Sequence, residues 1–313
     1  MIRYFYTEHH VTSEIDAIRN GVWIELTDPT HEEAQKIASK LKIDIEDLLS
    51  AIDPEEKNRI ELQEGYTLIL VDIPAIEVRH GQRSYTTIPL GIILTQDEIV
   101  TVCSEVTPIL SQFERDQVRD FSTKKKLRFV YQILLRTSIV YQKALQLIDR
   151  RRGEIEERID KVESEEDLIR LHELETTLVY FATSLRGNGN VLDRLTRYKR
   201  LQQFPEDREL LDDVIVENKQ AIEMTTIYKD IIDSTRELLS NVLDSRLNNV
   251  MKRLTSITLI LAVPTMISGM YGMNVDSRWM PLAGTVHGFG IIILITLIIS
   301  ILLMFLLHRK KML

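Results

Sequence analysis

Two uncharged apolar runs near the C-terminus constrain this chain more than anything that precedes them. Leu254 to Met270 holds 17 residues and Phe289 to Leu307 holds 19, none of them charged. As helices at ~1.5 Å per residue they extend roughly 25 and 28 Å, close to the ~30 Å hydrocarbon core of a bilayer. A helical hairpin in a soluble core would be amphipathic, whereas the second run is apolar on every face. The pair reads as a membrane hairpin, with turn-rich residues from Tyr271-Gly272-Met273-Asn274 onward joining its arms.

Charge orients the hairpin. Arg246, Lys252 and Arg253 precede the first run, and Arg309, Lys310 and Lys311 follow the second, while the connecting loop carries only Asp276, Arg278 and His287. The excess of basic residues beside the two ends predicts both termini in the cytoplasm and the loop outside. The stretch Met1 to Tyr6 has no apolar signal region, so the segment ahead of the hairpin is expected to stay in the cytoplasm, at a cytoplasmic (inner or plasma) membrane. A net charge of -8 gives nucleic-acid binding no electrostatic support. The single Cys103 excludes an internal disulfide and fits a small core residue.

The first 105 residues read as an α/β domain. Strand-like runs rich in β-branched and aromatic residues lie at Ile2–Thr7, Gly21–Leu26, Tyr66–Ile73, Thr86–Thr95 and Glu98–Cys103. One helix is expected to open at Thr30, with Glu33 at the capping-box spacing, and another to cover Asp44 to Ile52, ahead of Pro54. No glycine-rich phosphate loop and no catalytic constellation is present, so the chain does not read as an enzyme. The pair His9-His10 reads as a surface feature rather than a metal site.

Residues 106–205 read as a helical region: one run from Lys124 to about Val162, then a helix capped at Ser164 and reaching Gln203, weakened at Gly187-Asn188-Gly189. The basic triplets Lys124–Lys126 and Arg150–Arg152 are expected to pair with neighbouring acids rather than with lipid or nucleic acid. A stalk helix, residues 206–253, then leads into the first span at 254–270. Val214, Ala221, Tyr228, Ile231, Ile232, Thr235, Leu239, Val242 and Leu247 recur along it at steps near three and four. Continuous to Met270, it would measure about 95 Å. The outer loop occupies 271–288, the second span 289–307 and a basic cytosolic tail 308–313.

Within the first span, Thr258, Ala262, Thr265, Gly269 and Gly272 trace one small, partly polar helical face. Leu254, Met251 and Asn248 extend it toward the stalk. Such a face serves close helix packing or lines a pore. Asn248 and Asn274 at its two ends favour the pore. Two spans in one chain cannot enclose water, so a pore requires several copies.

Tyr271-Gly272-Met273-Asn274, placed at the outer end of the first of two C-terminal spans and entered from a long helix containing Asn248, Val250, Met251 and Lys252, resembles the signature of the CorA divalent-cation transporters, the two-span Gly-Met-Asn group. The likeness runs from the α/β domain to the basic tail. It implies an α/β N-terminal cytosolic domain plus a long-helix stalk and two C-terminal transmembrane helices, assembled as a homopentameric funnel in membrane lipid. It implies Mg2+ as substrate and regulator, with Co2+ or Ni2+ as surrogates. Pore-lining positions would be Asn248, Met251, Leu254, Thr258, Ala262, Thr265 and Gly269, with Tyr271, Gly272, Met273 and Asn274 forming the selectivity signature.

By the same resemblance, cytosolic Mg2+ would be sensed between subunits by Asp213 and an acid near the third strand, Glu77 or else Asp72. Two positions depart from the family pattern. Met280-Pro281-Leu282 stands where an acidic residue often follows Met-Pro, leaving Asp276 as the loop's one acid, and Ala262 replaces a bulkier apolar residue. A zinc-transporting relative and a membrane-anchored oligomeric sensor without ion flux are the alternatives.

Overall fold

Strands that bury both faces need covering layers on each side, and the N-terminal part of the chain supplies them. The computed structural model describes every residue except 80, 159–165, 198–204, 283, 311 and 313. The chain divides into two compact units, Met1–Arg236 and Glu237–Leu313.

The first unit is built on a seven-stranded sheet: β1 (Ile2–Glu8), β2 (Val11–Glu14), β3 (Trp23–Thr27), β4 (Arg59–Leu62), β5 (Tyr66–Arg79), β6 (Gln82–Thr95) and β7 (Ile99–Cys103). Their spatial order is β2-β1-β3-β7-β6-β5-β4. All pairs are antiparallel except β3 with β7. The five expected strands are present. β2 and β4 are additions, and β5 and β6 run past their expected limits to make a ribbon of 14 residues a side. Pro74 fits in β5 because β4 pairs only with Thr67–Leu70, so the missing N–H falls where no β4 neighbour needs it. His9 and His10, both at positive φ, form the two-residue turn between the paired Glu8 and Val11. Cys103 is buried, as its apolar run suggested.

One face is covered by α1 (His31–Leu41) and α2 (Ile45–Leu49). Thr30 and Glu33 form the expected capping box, and Asp44 caps α2. Ile37, Ala38 and Leu48 meet Ile24, Leu26, Leu68 and Val100 in a continuous core. The opposite face is covered by α3 (Pro108–Glu114), α4 (Lys126–Glu156), α5 (Glu166–Arg197) and the first turns of α6 (Pro205–Tyr271). Trp23 sits there among Phe113, Phe121 and Phe129, with ring centroids 5.0–6.5 Å away. Its indole N–H donates to Thr101 Oγ1 at 2.8 Å, which removes the cost of burying that polar group.

The helical region differs from expectation at two places: α4 ends at Glu156, ahead of the expected limit near Val162, and α5 is not interrupted at its glycines. α5 passes unbroken through Gly187-Asn188-Gly189. The glycines instead permit close approach: a Cβ on Gly187 would lie 2.7 Å from Asn58 Cγ. Between them, the Asn188 side chain accepts from the N–H of Asp72 and donates to its carbonyl, 2.9 and 2.8 Å, like a one-residue strand partner for β5. The expected cap Ser164 and the expected helix limits Val162 and Gln203 lie outside the described residues.

Arg150 and Arg152 of the second basic triplet pair with acids as expected, whereas in the first Lys126 turns to backbone carbonyls instead. Arg150 pairs with Glu154, and Arg152 with Asp149 and Glu156. Lys126 Nζ donates to the carbonyls of Thr95 and Gln96.

α6 is one helix of 67 residues with Pro264 inside it. Val214, Ala221, Ile232, Thr235 and Leu239 are buried along the expected stripe, whereas Leu247 is 63% exposed. The stripe therefore stops packing within this chain before the apolar run begins.

Candidate ion-conduction site

The second unit holds the end of α6, a short 3-10 turn at Ser277–Trp279 and α7 (Gly288–Arg309). Helices satisfy their own backbone groups, the condition for crossing lipid. Both α6 and α7 contain segments long and apolar enough to do so. Gly288 can open α7 because a Cβ there would collide with the Leu282 carbonyl oxygen.

Burial distinguishes the two sides of α6. Ser256 is buried, and Ile260, Val263, Pro264 and Ile267 are half-buried. At ~100° per residue these five share one side of the helix. Ser256 Oγ donates to the Met312 carbonyl at 3.0 Å, so the chain's own tail covers part of that side. Asn248, Met251, Leu254, Thr258, Ala262, Thr265 and Gly269 are all exposed and lie on the opposite side. The hydroxyls of Thr258 and Thr265 donate to the carbonyls of Leu254 and Leu261 at 2.9 and 2.8 Å. Their oxygens keep lone pairs that can accept from water.

α7 is not featureless. Ile292, Thr296, Ser300, Leu303 and Leu307 form its less exposed side, so its two hydroxyl residues turn away from the open surface. Its remaining faces are exposed and apolar, as a lipid-facing helix requires.

At the end of α6, the Gly272 N–H bonds the carbonyls of Ser268 and Gly269 and closes the last turn. The Tyr271 hydroxyl donates to the Pro281 carbonyl at 2.7 Å. The Met273 carbonyl accepts from the Val275 N–H, and Asn274 is exposed beside this tight turn. Asp276 Oδ1 accepts from the Arg278 N–H at 3.0 Å, so the loop's acid serves to start the 3-10 turn.

The carboxylates of the first unit differ in what engages them. Asp213 is exposed on α6. Glu77 is half-buried on β5 and paired at 2.5 Å with Arg79. Asp72 is half-buried on β5, and that burial pushes its carboxyl above the usual range against hydrogen bonds from Ser184 and Asn58. With its amide oriented by the surrounding network, Asn58 donates to Asp72 Oδ2 at 3.0 Å. Among the described residues, no three His, Cys, Asp or Glu side chains gather as a metal-holding cluster. Sequence reasoning missed both the Ser256–Met312 contact and the Asn58–Asn188–Asp72 network. Asn188 between two glycines was the available signal for the second.

A three-layer α/β unit, and a second unit with two helices long and apolar enough to cross a membrane, are the features of a membrane transporter subunit. Residues 19–309 match the CorA-like Mg2+ transporter protein family, and the chain belongs to it. It is 29% identical over 298 residues to the cobalt/magnesium transport protein CorA of Methanocaldococcus jannaschii, spanning 92% of this chain and 90% of that one. It is 23% identical over 277 residues to the cobalt/magnesium transport protein CorA of Thermotoga maritima, spanning 85% and 75%. The complete structure of the M. jannaschii CorA magnesium transporter aligns with a TM-score of 0.84 at 26% identity, covering 99% of this chain and 98% of that chain. The full-length CmaX protein shares the fold, with a TM-score of 0.70 at 14% identity over 99% and 97% of the two chains.

Proposed function

We propose that this chain is the subunit of a divalent-cation channel or transporter that carries Mg2+, with Co2+ or Ni2+ as surrogates, across a cytoplasmic membrane. One observation carries the reading: the small and hydroxyl residues of the first span occupy the side of α6 that its own chain leaves open. Several copies turned inward on that side enclose a path that one hairpin cannot. A homopentamer with both termini in the cytoplasm is the assembly we infer. Relatives named as cobalt/magnesium transport proteins support the substrate class.

Mg2+ gives up its waters reluctantly, so the path must handle a hydrated ion. A ring of exposed Asn274 carboxamides accepts hydrogen bonds from first-shell waters without stripping them. A ring of carboxylates would hold the ion too long for conduction. Tyr271, Gly272 and Met273 shape the turn that presents Asn274. Met251 and Leu254, exposed on the same side at the stalk end, form an apolar constriction that closes by dewetting. With Ala262 in the middle, closure rests on those two rings.

Mg2+ also acts as regulator in this reading. Asp213 is exposed, and its cation site needs ligands from a second copy, with Glu77 the partner we favour. Asp72 is the weaker choice because its carboxyl is engaged inside the fold. Carboxylates bridging two subunits would hold the closed state while Mg2+ is bound.

The test is Mg2+ uptake into liposomes containing the wild type or Asn274→Ala. Loss of flux in the variant is expected. Equal flux in both removes the selectivity role, and no flux in either folded protein leaves an oligomeric sensor as the reading.

A further inference from the structure

The sheet of the first unit carries a charged cluster that neither the ion path nor the cation-sensing carboxylates use. Arg3 of β1 and Glu25 of β3 are cross-strand partners, and α3 ends with Glu114 beside them. One guanidinium serves both acids. Arg3 Nη2 lies 2.6 Å from Glu25 Oε2, and Nη1 lies 2.7 Å from Glu114 Oε2. The Glu25 side chain is 2% exposed and that of Glu114 13%. Glu25 Oε2, although close to Arg3, has no aligned donor, and Glu114 Oε1 has none either among the described residues.

Two carboxylates against one cation leave a net negative charge out of water, which is costly to hold. One proton on Glu25 neutralises that charge and turns its orphaned oxygen into a donor. The other charged groups nearby do not relieve it. Glu14 of β2 adds a further negative field at Arg3. Cys103 of β7, with Glu105 beyond it, is a buried thiol pushed up to about 11 and remains neutral. Arg115, which follows Glu114, is exposed. Burial, and then the Glu114 carboxylate, push Glu25 up to about 7 against the opposing pull of Arg3.

We propose that Arg3, Glu25 and Glu114 form a proton-held latch, in which a proton on the Glu25 carboxyl lets both acids sit against Arg3 and clamps α3 to the sheet, and its release to solvent loosens that helix. The consequence reaches the core because α3 places Phe113 against Trp23, Phe121 and Phe129. The sign follows from the raised carboxyl. The folded state binds the proton more tightly than the unfolded chain does. The latch's contribution is therefore complete below the ordinary carboxyl value of 4.5 and is lost as pH rises through about 7.

The experiment is thermal unfolding of the full-length protein in detergent between about pH 5.5 and about pH 8.5, for wild type, Glu114→Gln and Glu25→Gln. Over that range the wild-type Tm is expected to fall by about 5 °C more than that of either variant. Infrared spectra of the same samples supply a readout that a merely structural role would not move. A protonated-carboxyl band should be present in the wild type at about pH 6, fade by about pH 8.5, and be missing from both variants. Equal slopes in all three proteins, or no such band in the wild type at the lower pH, overturns the proposal. If one variant does not fold, the slope and the band of the other, set against the wild type, decide.

Discussion

The Tyr271 hydroxyl donates to the carbonyl of Pro281, so the residue that closes α6 also pins the middle of the loop leading to α7. Tyr271→Phe removes only that bond. A hydrogen bond of this kind is worth about 1 kcal/mol, which sets the expected fall in Mg2+ uptake at about fivefold. Assembly, followed by cross-linking, should be unchanged because the ring remains.

Substitutions on opposite sides of the hairpin should separate path from lipid. Ala262→Phe puts a ring on the open side of α6, and uptake should drop at least about tenfold. Ile295→Phe places the same ring on an exposed apolar side of α7 and should leave flux near wild type. Equal effects of the two on liposome flux would show that the open side of α6 does not line the path.

Asp213→Ala should weaken inhibition of flux by internal Mg2+ while leaving maximal flux intact, and Glu77→Ala should act in the same direction. Asp72→Asn should behave differently. Its carboxyl is held by Asn58 and Ser184 within one chain, so the expected result is a lower Tm with normal Mg2+ inhibition. Flux titrated against internal Mg2+, beside a thermal melt, distinguishes the two behaviours.

Two glycine-to-alanine changes in helices should have opposite signs. At Gly187 the new methyl meets Asn58 at 2.7 Å and pushes it from Asp72, costing about 1–3 kcal/mol. At Gly153 in α4 nothing lies within 4 Å, so alanine should stabilise by about 0.5–1 kcal/mol. Thermal melts of the two variants and wild type check both signs.

How far the sequence can be read depends on whether a signal is local. The capping box at Thr30, the buried strands around Trp23 and Ile99, and the stripe on α6 follow from nearest-neighbour spacing, and all were legible. β2 and β4 were not, because four-residue edge strands such as Val11-Thr12-Ser13-Glu14 carry too few apolar positions to show alternation. The far end of the extended β5–β6 ribbon was hidden by Pro74, whose tolerance depends on where the neighbouring strand β4 ends. Gly187 and Gly189 looked like helix weakness because the residues they make room for, Asn58 and Asn218, are distant in sequence. In the candidate site, spacing identified the stripe. That this stripe is the side left open emerged only from the covered side, where Ser256 meets the C-terminal tail. Asp276 was read as the loop's acid, but its carboxylate serves a turn.

α6 also decides where this protein can be cut. Leu211 and Val214 belong to the same core as Trp23 and Phe113, and Ala221 and Ile232 are buried further along the helix. A fragment ending before residue 205 would expose that core and is expected to aggregate. One that retains the helix through Arg236 keeps the first compact unit whole. The hydrophilic portion therefore has no seam at the start of its longest helix. Any shuffling of this module between proteins, in evolution or in the laboratory, must carry several turns of α6 along with it.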